Sequence, residues 1–347
     1  MRRSRQLVAG ALGLVVLVLI GGGCGANDGN QEPNATPTIA STGTPATTAP
    51  SVDGSLDINE AGAQKLTLPG DWLAAGDGAV WISQTFEIDR IDPGTGEIEA
   101  KVTVPEGACE ATAFGFGALW TATCEKPGLS RIDPRTNTVT GHLDLAVPTQ
   151  LDGEGSVGAG EGGIWLAVDG AGCSACRVAR VDPQTLRVTA HVRVKAGAAG
   201  VRTGSGSVWV TNPRLDIVER IDPHRNAVVG STKVGDAPRF LAVGAGGVWT
   251  IDQQGGTVTR LDLKTGAKRA TIRAHLEGLG GDITTGDGAV WARTGTTLLT
   301  RIDPGTNTVT QRYGPESGSG AVIVEGDNVW ISAHDVPAVW RLPLSQG

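Results

Sequence analysis

Two short stretches, "RAHLEGLGGD" and "ISAHDVPAVW", each set a histidine beside a carboxylate: His275 with Glu277, and His334 with Asp335. An imidazole next to an acid can move a proton, polarise a substrate or help to hold a cation. On loops the commoner outcome is a hydrated pair, and the spacing here specifies no metal. Arg202, Arg239 and Asp282 are charges at positions where the sequence otherwise has small or apolar residues. They line a channel or sit as solvated residues on its rim. Of the three, Arg239 is best placed to meet an anionic group. Together these seven residues are the candidate ligand-binding set.

The remaining histidines carry less. His142 and His191 occupy matching places in strand-like runs expected at the surface, and His224 lies in the turn "DPHRN". Cys109 and Cys124 stand equally far from the centre of the hairpin "FGFGAL", which puts them opposite one another on neighbouring strands. Cys173 and Cys176 form "CSAC" in the longest loop, where a closed disulfide is the simplest reading and a redox or zinc half-site the alternative.

The elements that position these residues come from a repeat. Trp81, Trp120, Trp165, Trp209, Trp249, Trp291 and Trp330 each follow a Gly-rich turn and stand 39 to 45 residues apart. Downstream of each comes an arginine: Arg90, Arg131, Arg180, Arg220, Arg260, Arg301 and Arg341, usually in "RID". Every unit contains four strand-like runs, which predicts an all-β, seven-bladed β-propeller with four antiparallel strands per blade. A tryptophan present in all seven blades is expected to pack blade on blade, and the Arg and Asp of "RID" to form an interblade ladder of salt bridges and hydrogen bonds. "DPxT" is turn chemistry. The chain runs out after the third strand of blade seven, whereas "NEAGAQKLTLPG" resembles a fourth strand ahead of blade one. The N-terminal strand is therefore expected to close the last blade against Val339 to Leu344.

The "RIDPxTNTV" cores and "xVWxT" strands resemble the YVTN-type repeats of YncE-like seven-bladed propellers and, more loosely, virginiamycin B lyase-like propellers. The resemblance covers residues 58–347. For the lyase-like group it implies a site built from a cation and a histidine, and a "WFTE" repeat with an acid three residues after the Trp. Here that position holds Gln84, Thr123, Val168, Asn212, Asp252, Thr294 and Ala333, so only Asp252 is acidic.

Residues 1–23 read as a signal peptide, with Arg2, Arg3 and Arg5 before an apolar run from Leu7 to Ile20 that is too short to span a bilayer. Gly21, Gly22 and Gly23 before Cys24 resemble a bacterial lipobox, with Gly21 where that family usually has Leu. Lipidation of Cys24 would anchor the protein to the outer face of the cell membrane, and residues 24–57, rich in Thr, Pro, Ala and Gly, form a tether with a reach of about 30 Å.

Three arginines and no acid precede Cys24, so cleavage there moves the formal charge from −7 to −10. An acidic chain without a basic stripe is a poor match for nucleic acid. Two functions follow. The first, and preferred, is a monomeric, surface-tethered module binding a protein or small ligand without a cofactor. The second is an extracytoplasmic lyase or hydrolase of the virginiamycin B lyase-like type, which would bring a divalent cation.

Overall fold

Runs such as Phe240–Val243 and Val248–Ile251, apolar and β-branched, are separated by Gly-containing turns and form paired strands. A computed structural model describes residues 54–145, 157–168 and 176–344. The described residues form seven sheets, each with its own four consecutive antiparallel strands except the last, which borrows one. This is a seven-bladed β-propeller. Cys24, the signal-like segment and most of the tether lie outside the described residues, as does Cys173.

The seventh blade closes as its incomplete repeat implies. Its three strands span Val322–Glu325, Asn328–Ala333 and Ala338–Pro343. The fourth is β2 (Gln64–Leu66), whose partners are Arg341, Trp340 and Val339. A second strand, β1 (Leu56–Asp57), adds parallel to the outer edge of blade six at Tyr313 and Gly314. That addition was not visible in the sequence, because two residues carry no period. Between the two strands Ile58 is fully buried among Trp291, Leu299 and Ala338.

The repeat has a geometry that differs from a salt-bridge ladder. In six blades the Trp indole N–H donates to the carbonyl five residues earlier, for example Trp81 to Gly76 and Trp249 to Gly244, so the ring is tied across its own hairpin. In five blades the "RID" arginine lies over that ring, at 4.8 Å for Arg260 and Trp249, a cation–π contact. It then crosses to a carbonyl in the next blade's turn: Arg90 to Pro134, Arg131 to Pro183, Arg180 to Pro223, Arg260 to Pro304 and, across the ring closure, Arg341 to Pro93. The aspartate stays at home. Asp92, Asp182 and Asp262 each accept backbone N–H groups of their own turn, so the carboxylate two residues on is not the arginine's partner; Arg90 pairs instead with Glu99 at 3.1 Å. The interblade link is thus guanidinium to carbonyl, a charge-assisted hydrogen bond that needs no buried counter-ion.

Candidate functional site

Each inner strand begins at one face of the ring, which we call the mouth, where the loops between second and third strands also emerge. Aligning the inner strands by their pairing partners gives a layer of Trp72, Ala111, Gly200, Phe240, Asp282 and Ala321 among the described residues, two positions before the residues that face each repeat Trp. Where neighbours are Ala or Gly, the two large rings fill the space. Trp72 of blade one meets Phe240 of blade five at 6.0 Å between ring centres.

The mouth at the junction of blades seven and one holds a charged cluster. His334 Nδ1 lies 3.4 Å from Asp71 Oδ2, and Nε2 lies 2.9 Å from Asp335 Oδ1. An imidazole can donate to two carboxylates only when both nitrogens carry protons. Beneath them Arg293, fully buried, donates to the carbonyls of Ser332 and Gly318. Backbone geometry makes the cluster possible. Gly70 has φ +141° and a side chain there would strike Ile82, so only glycine lets the chain turn Asp71 inward. Gly318, at φ +78°, packs where any Cβ would meet the Asp335 carboxylate, and Ser319 N–H donates to Asp335 Oδ2 at 3.1 Å.

Burial raises the Asp71 pKa, against the pull of His334 and Arg293. Burial likewise lowers Arg293 to about 10, which leaves it charged at neutral pH beside Asp71. A shallow pocket of about 280 Å³ opens over the cluster, lined by Pro69, Gly70, Asp71, Gln84, Thr85, His334 and Pro337 among others.

The other candidates go elsewhere. Asp282 lies in the layer of the rings and Arg202 two residues further along its own strand, 3.8 Å apart, with the Arg202 guanidinium 5.8 Å from the centre of Trp72. Arg239 lies over Phe240. His275 and Glu277 are 4.0 Å apart, both more than half exposed, with His275 beside Arg312 and Tyr313 on the flank of blade six. The seven candidate residues therefore occupy several separate places. His142, in a fourth strand, bonds Ser130 at 3.0 Å and is only 11% exposed, whereas His191 is exposed. Asp252 is enclosed by Thr250, Thr257 and Thr259, so its carboxylate serves the framework. Cys109 and Cys124 are joined in a disulfide with Cα atoms 5.2 Å apart, and Cys176 is disulfide-bonded.

Arg293 was missed although a signal exists. The residues two after each repeat Trp are Ser83, Ala122, Ala167, Thr211, Ile251, Arg293 and Ser332, a set with a single charge. Asp71 lies two residues ahead of the inner strand Leu73–Gly76 and has no histidine or second acid beside it in sequence to mark it.

Burial raises Asp282 to about 6, with Arg202 opposing. A folded-state value above the ordinary 3.8 means that the folded protein holds this proton while the unfolded chain loses it. Stability from this group is then present at low pH and lost as pH rises between those two values. Asp282→Asn should therefore gain on the wild type, in melting temperature, from pH 4 to pH 6.5; parallel curves across that range would show that Asp282 titrates normally.

The fold and cluster define the class: a seven-bladed propeller with an asymmetric, charged mouth. The sequence matches no protein-family model and no curated protein. Solved structures match the fold. Virginiamycin B lyase from Staphylococcus aureus superimposes with a TM-score of 0.66 at 16% identity, covering 81% of this chain and 99% of the lyase. The Pan2 WD40 domain of Neurospora crassa gives 0.61 at 11% identity over 79% and 89% of the two chains, and BamB from Moraxella catarrhalis 0.56 at 11% over 79% and 83%.

Proposed function

We propose that this chain is a surface-tethered lipoprotein whose propeller binds a basic segment of a partner protein at the blade seven to blade one side of the mouth. One observation carries the reading. Of the eight large apolar residues exposed among the described residues, four are on mouth loops: Phe86, Leu215, Leu279 and Val336. Phe86 follows the pocket residue Thr85, and Val336 lies between His334 and the pocket residue Pro337. Apolar tips beside a carboxylate cluster suit a segment that mixes Lys or Arg with an apolar anchor. The acidic balance of the chain favours the same partner by steering.

Recognition also suits the histidine better than catalysis. Both His334 ring nitrogens face carboxylates, so neither is directed at a substrate. A divalent cation, which the lyase resemblance implies, fits poorly there for the same reason, and Arg293 already supplies positive charge beneath Asp71.

The tether rests on the lipobox-like run before Cys24 and on the Thr-, Pro-, Ala- and Gly-rich composition that follows it. Fractionation of the native host should find the wild type with membranes and Cys24→Ala released. Wild type found wholly soluble would remove the anchor from this reading.

Recognition is tested with an array of short peptides in which Lys or Arg is combined with Leu or Phe. Wild type should retain such peptides at low salt and release them at higher ionic strength. The double variant Asp71→Asn, Asp335→Asn should lose them while remaining folded at the assay temperature, as circular dichroism checks. Equal retention by wild type and variant would place recognition elsewhere. The lyase reading has support in the similar fold of the Staphylococcus aureus enzyme, of which an inactive histidine-to-alanine variant has been solved with quinupristin. Consumption of quinupristin by this protein with a divalent cation present, lost in His334→Ala, would replace binding by catalysis.

A further inference from the structure

Six of the seven repeat arginines cross to a backbone carbonyl in the turn between the third and fourth strands of the next blade; Arg220, too, reaches such a turn, at Lys264. Two of these turns add a side chain, with Asn226 Oδ1 accepting from Arg180 at 3.1 Å and Asn307 Oδ1 from Arg260 at 2.9 Å. The turn can also cover the tryptophan of the preceding blade. Gly266 packs so near Trp209 that a Cβ there would stand 3.4 Å from the ring, and Thr232 Oγ1 donates to the Gly266 carbonyl at 2.8 Å.

Arg301 is the seventh. No turn joins the third and fourth strands of blade seven, because these are Ala338–Pro343 and β2, far apart in sequence. Among the described residues Arg301 finds no carbonyl across the interface; its Nη1 reaches Thr310 Oγ1 of its own blade at 3.4 Å, and the guanidinium lies 5.7 Å from the centre of the Trp291 ring. A cavity of about 430 Å³ lies at this junction, lined by Asp287, Trp291, Arg301, Tyr313, Leu342 and Leu344 among others. That is within the range of ligand pockets, about 300–1,000 Å³. Tyr313, the one tyrosine of the chain, stands by register where Thr232 stands in blade four.

We propose that this junction is a docking site for a β-turn presented by a partner protein, whose carbonyl accepts from Arg301 and whose backbone lies against Trp291. The molecule shows at its six other junctions what this arrangement holds, and the site continues that interface. A turn carbonyl satisfies the guanidinium without bringing a second charge. Leu342, Pro343 and Leu344 give apolar surface to the residues on either side of it. Asp287, exposed at the edge, weighs against a carboxylate as the accepting group. Asp287 belongs to a hairpin of the face opposite the mouth, so this site shares no residue with the one proposed for basic peptides.

The probe is a backbone-cyclised peptide presenting Ile302 to Val309, the turn of blade six, added to the full chain carrying Cys24→Ala. The indole N–H resonances of the nine tryptophans report where it binds. The Trp291 resonance, assigned by its loss in Trp291→Phe, should move saturably, and Arg301→Met should weaken the peptide at least about tenfold, the effect of one lost charged hydrogen bond. Melting checks the missing link separately. Arg260→Met loses a bond across the interface and should lower the melting temperature by several degrees more than Arg301→Met, since the cation–π contact is common to both. Equal losses overturn the proposal, because Arg301 would then already hold a partner like the other six. So does a Trp291 resonance that the peptide leaves in place, or peptide binding as tight in Arg301→Met as in the parent. Benzoate binding as tightly as the peptide overturns it in favour of a carboxylate site, and binding seen only when the chain stops after Leu344 does so in favour of residues 345–347 as the occupant.

Discussion

Deleting residues 58–69 lowers the melting temperature of the propeller by about 10 °C or more, the shift expected of a loss near 5 kcal/mol in a domain of this size. The loss has identifiable parts. Ile58 is fully buried between blades six and seven, and removing its side chain from that core forfeits about 1.5–3 kcal/mol. The pairing of β2 with Val339, Trp340 and Arg341 disappears, and with it the bond from Arg341 Nη2 to Gln64 at 2.7 Å. Each lost backbone bond at a solvent-facing edge contributes about 0.5–1.5 kcal/mol. Blade seven would then end in an open edge, with Trp340 newly uncovered, so aggregation on heating should accompany the shift. A circular permutant that joins Leu344 to Gln64 through a short turn keeps the strand in place and should melt near the wild type. If the deletion melts like the wild type, the N-terminal strand is not what closes the ring.

The framework was legible because it repeats. Trp81 and its six counterparts, followed by an arginine at a near-constant distance, announce the blade count, and the missing fourth strand after Arg341 announces the closure. The partner of that arginine was not legible. Asp92 is two residues from Arg90, so a strand reading pairs them, yet the turn after Asp92 draws its carboxylate onto Gly94 and Thr95 N–H groups and leaves Arg90 to find Pro134 across the interface. Local turn chemistry wins over proximity along the strand.

The candidate site was legible only in part, and for a related reason. His334 and Asp335 are adjacent and stood out, but their partners Asp71 and Arg293 come from the start of blade one and the second strand of blade six. Only ring closure brings residue 71 next to residue 334. Arg202 and Asp282 also stood out as charges, and the register of their strands puts both on the channel, Asp282 in the layer of the rings and Arg202 two residues further along its own strand.

Arg293→Met should be the most damaging single substitution at the mouth. Its side chain is fully buried, donates to the Ser332 and Gly318 carbonyls, and stands as counter-charge to Asp71 and Asp282. Methionine fills similar space, so the loss is of charge and donors rather than of volume. Breaking one side of a buried charged network costs about 3–5 kcal/mol, because the acceptors left behind remain desolvated. At this domain size that is a fall of roughly 6–15 °C in melting temperature. Asp71, already raised by burial, would lose one of the two groups that hold its value down, and should take up a proton at higher pH than in the wild type. Adding Asp71→Asn to Arg293→Met removes the stranded carboxylate and should recover part of the stability, a coupling that a double-mutant cycle measures directly. Strict additivity of the two substitutions would mean that Arg293 and Asp71 do not act on one another. A variant that melts with the wild type and still retains basic peptides would go further, since the charged mouth would then be decoration on a scaffold that binds by another face.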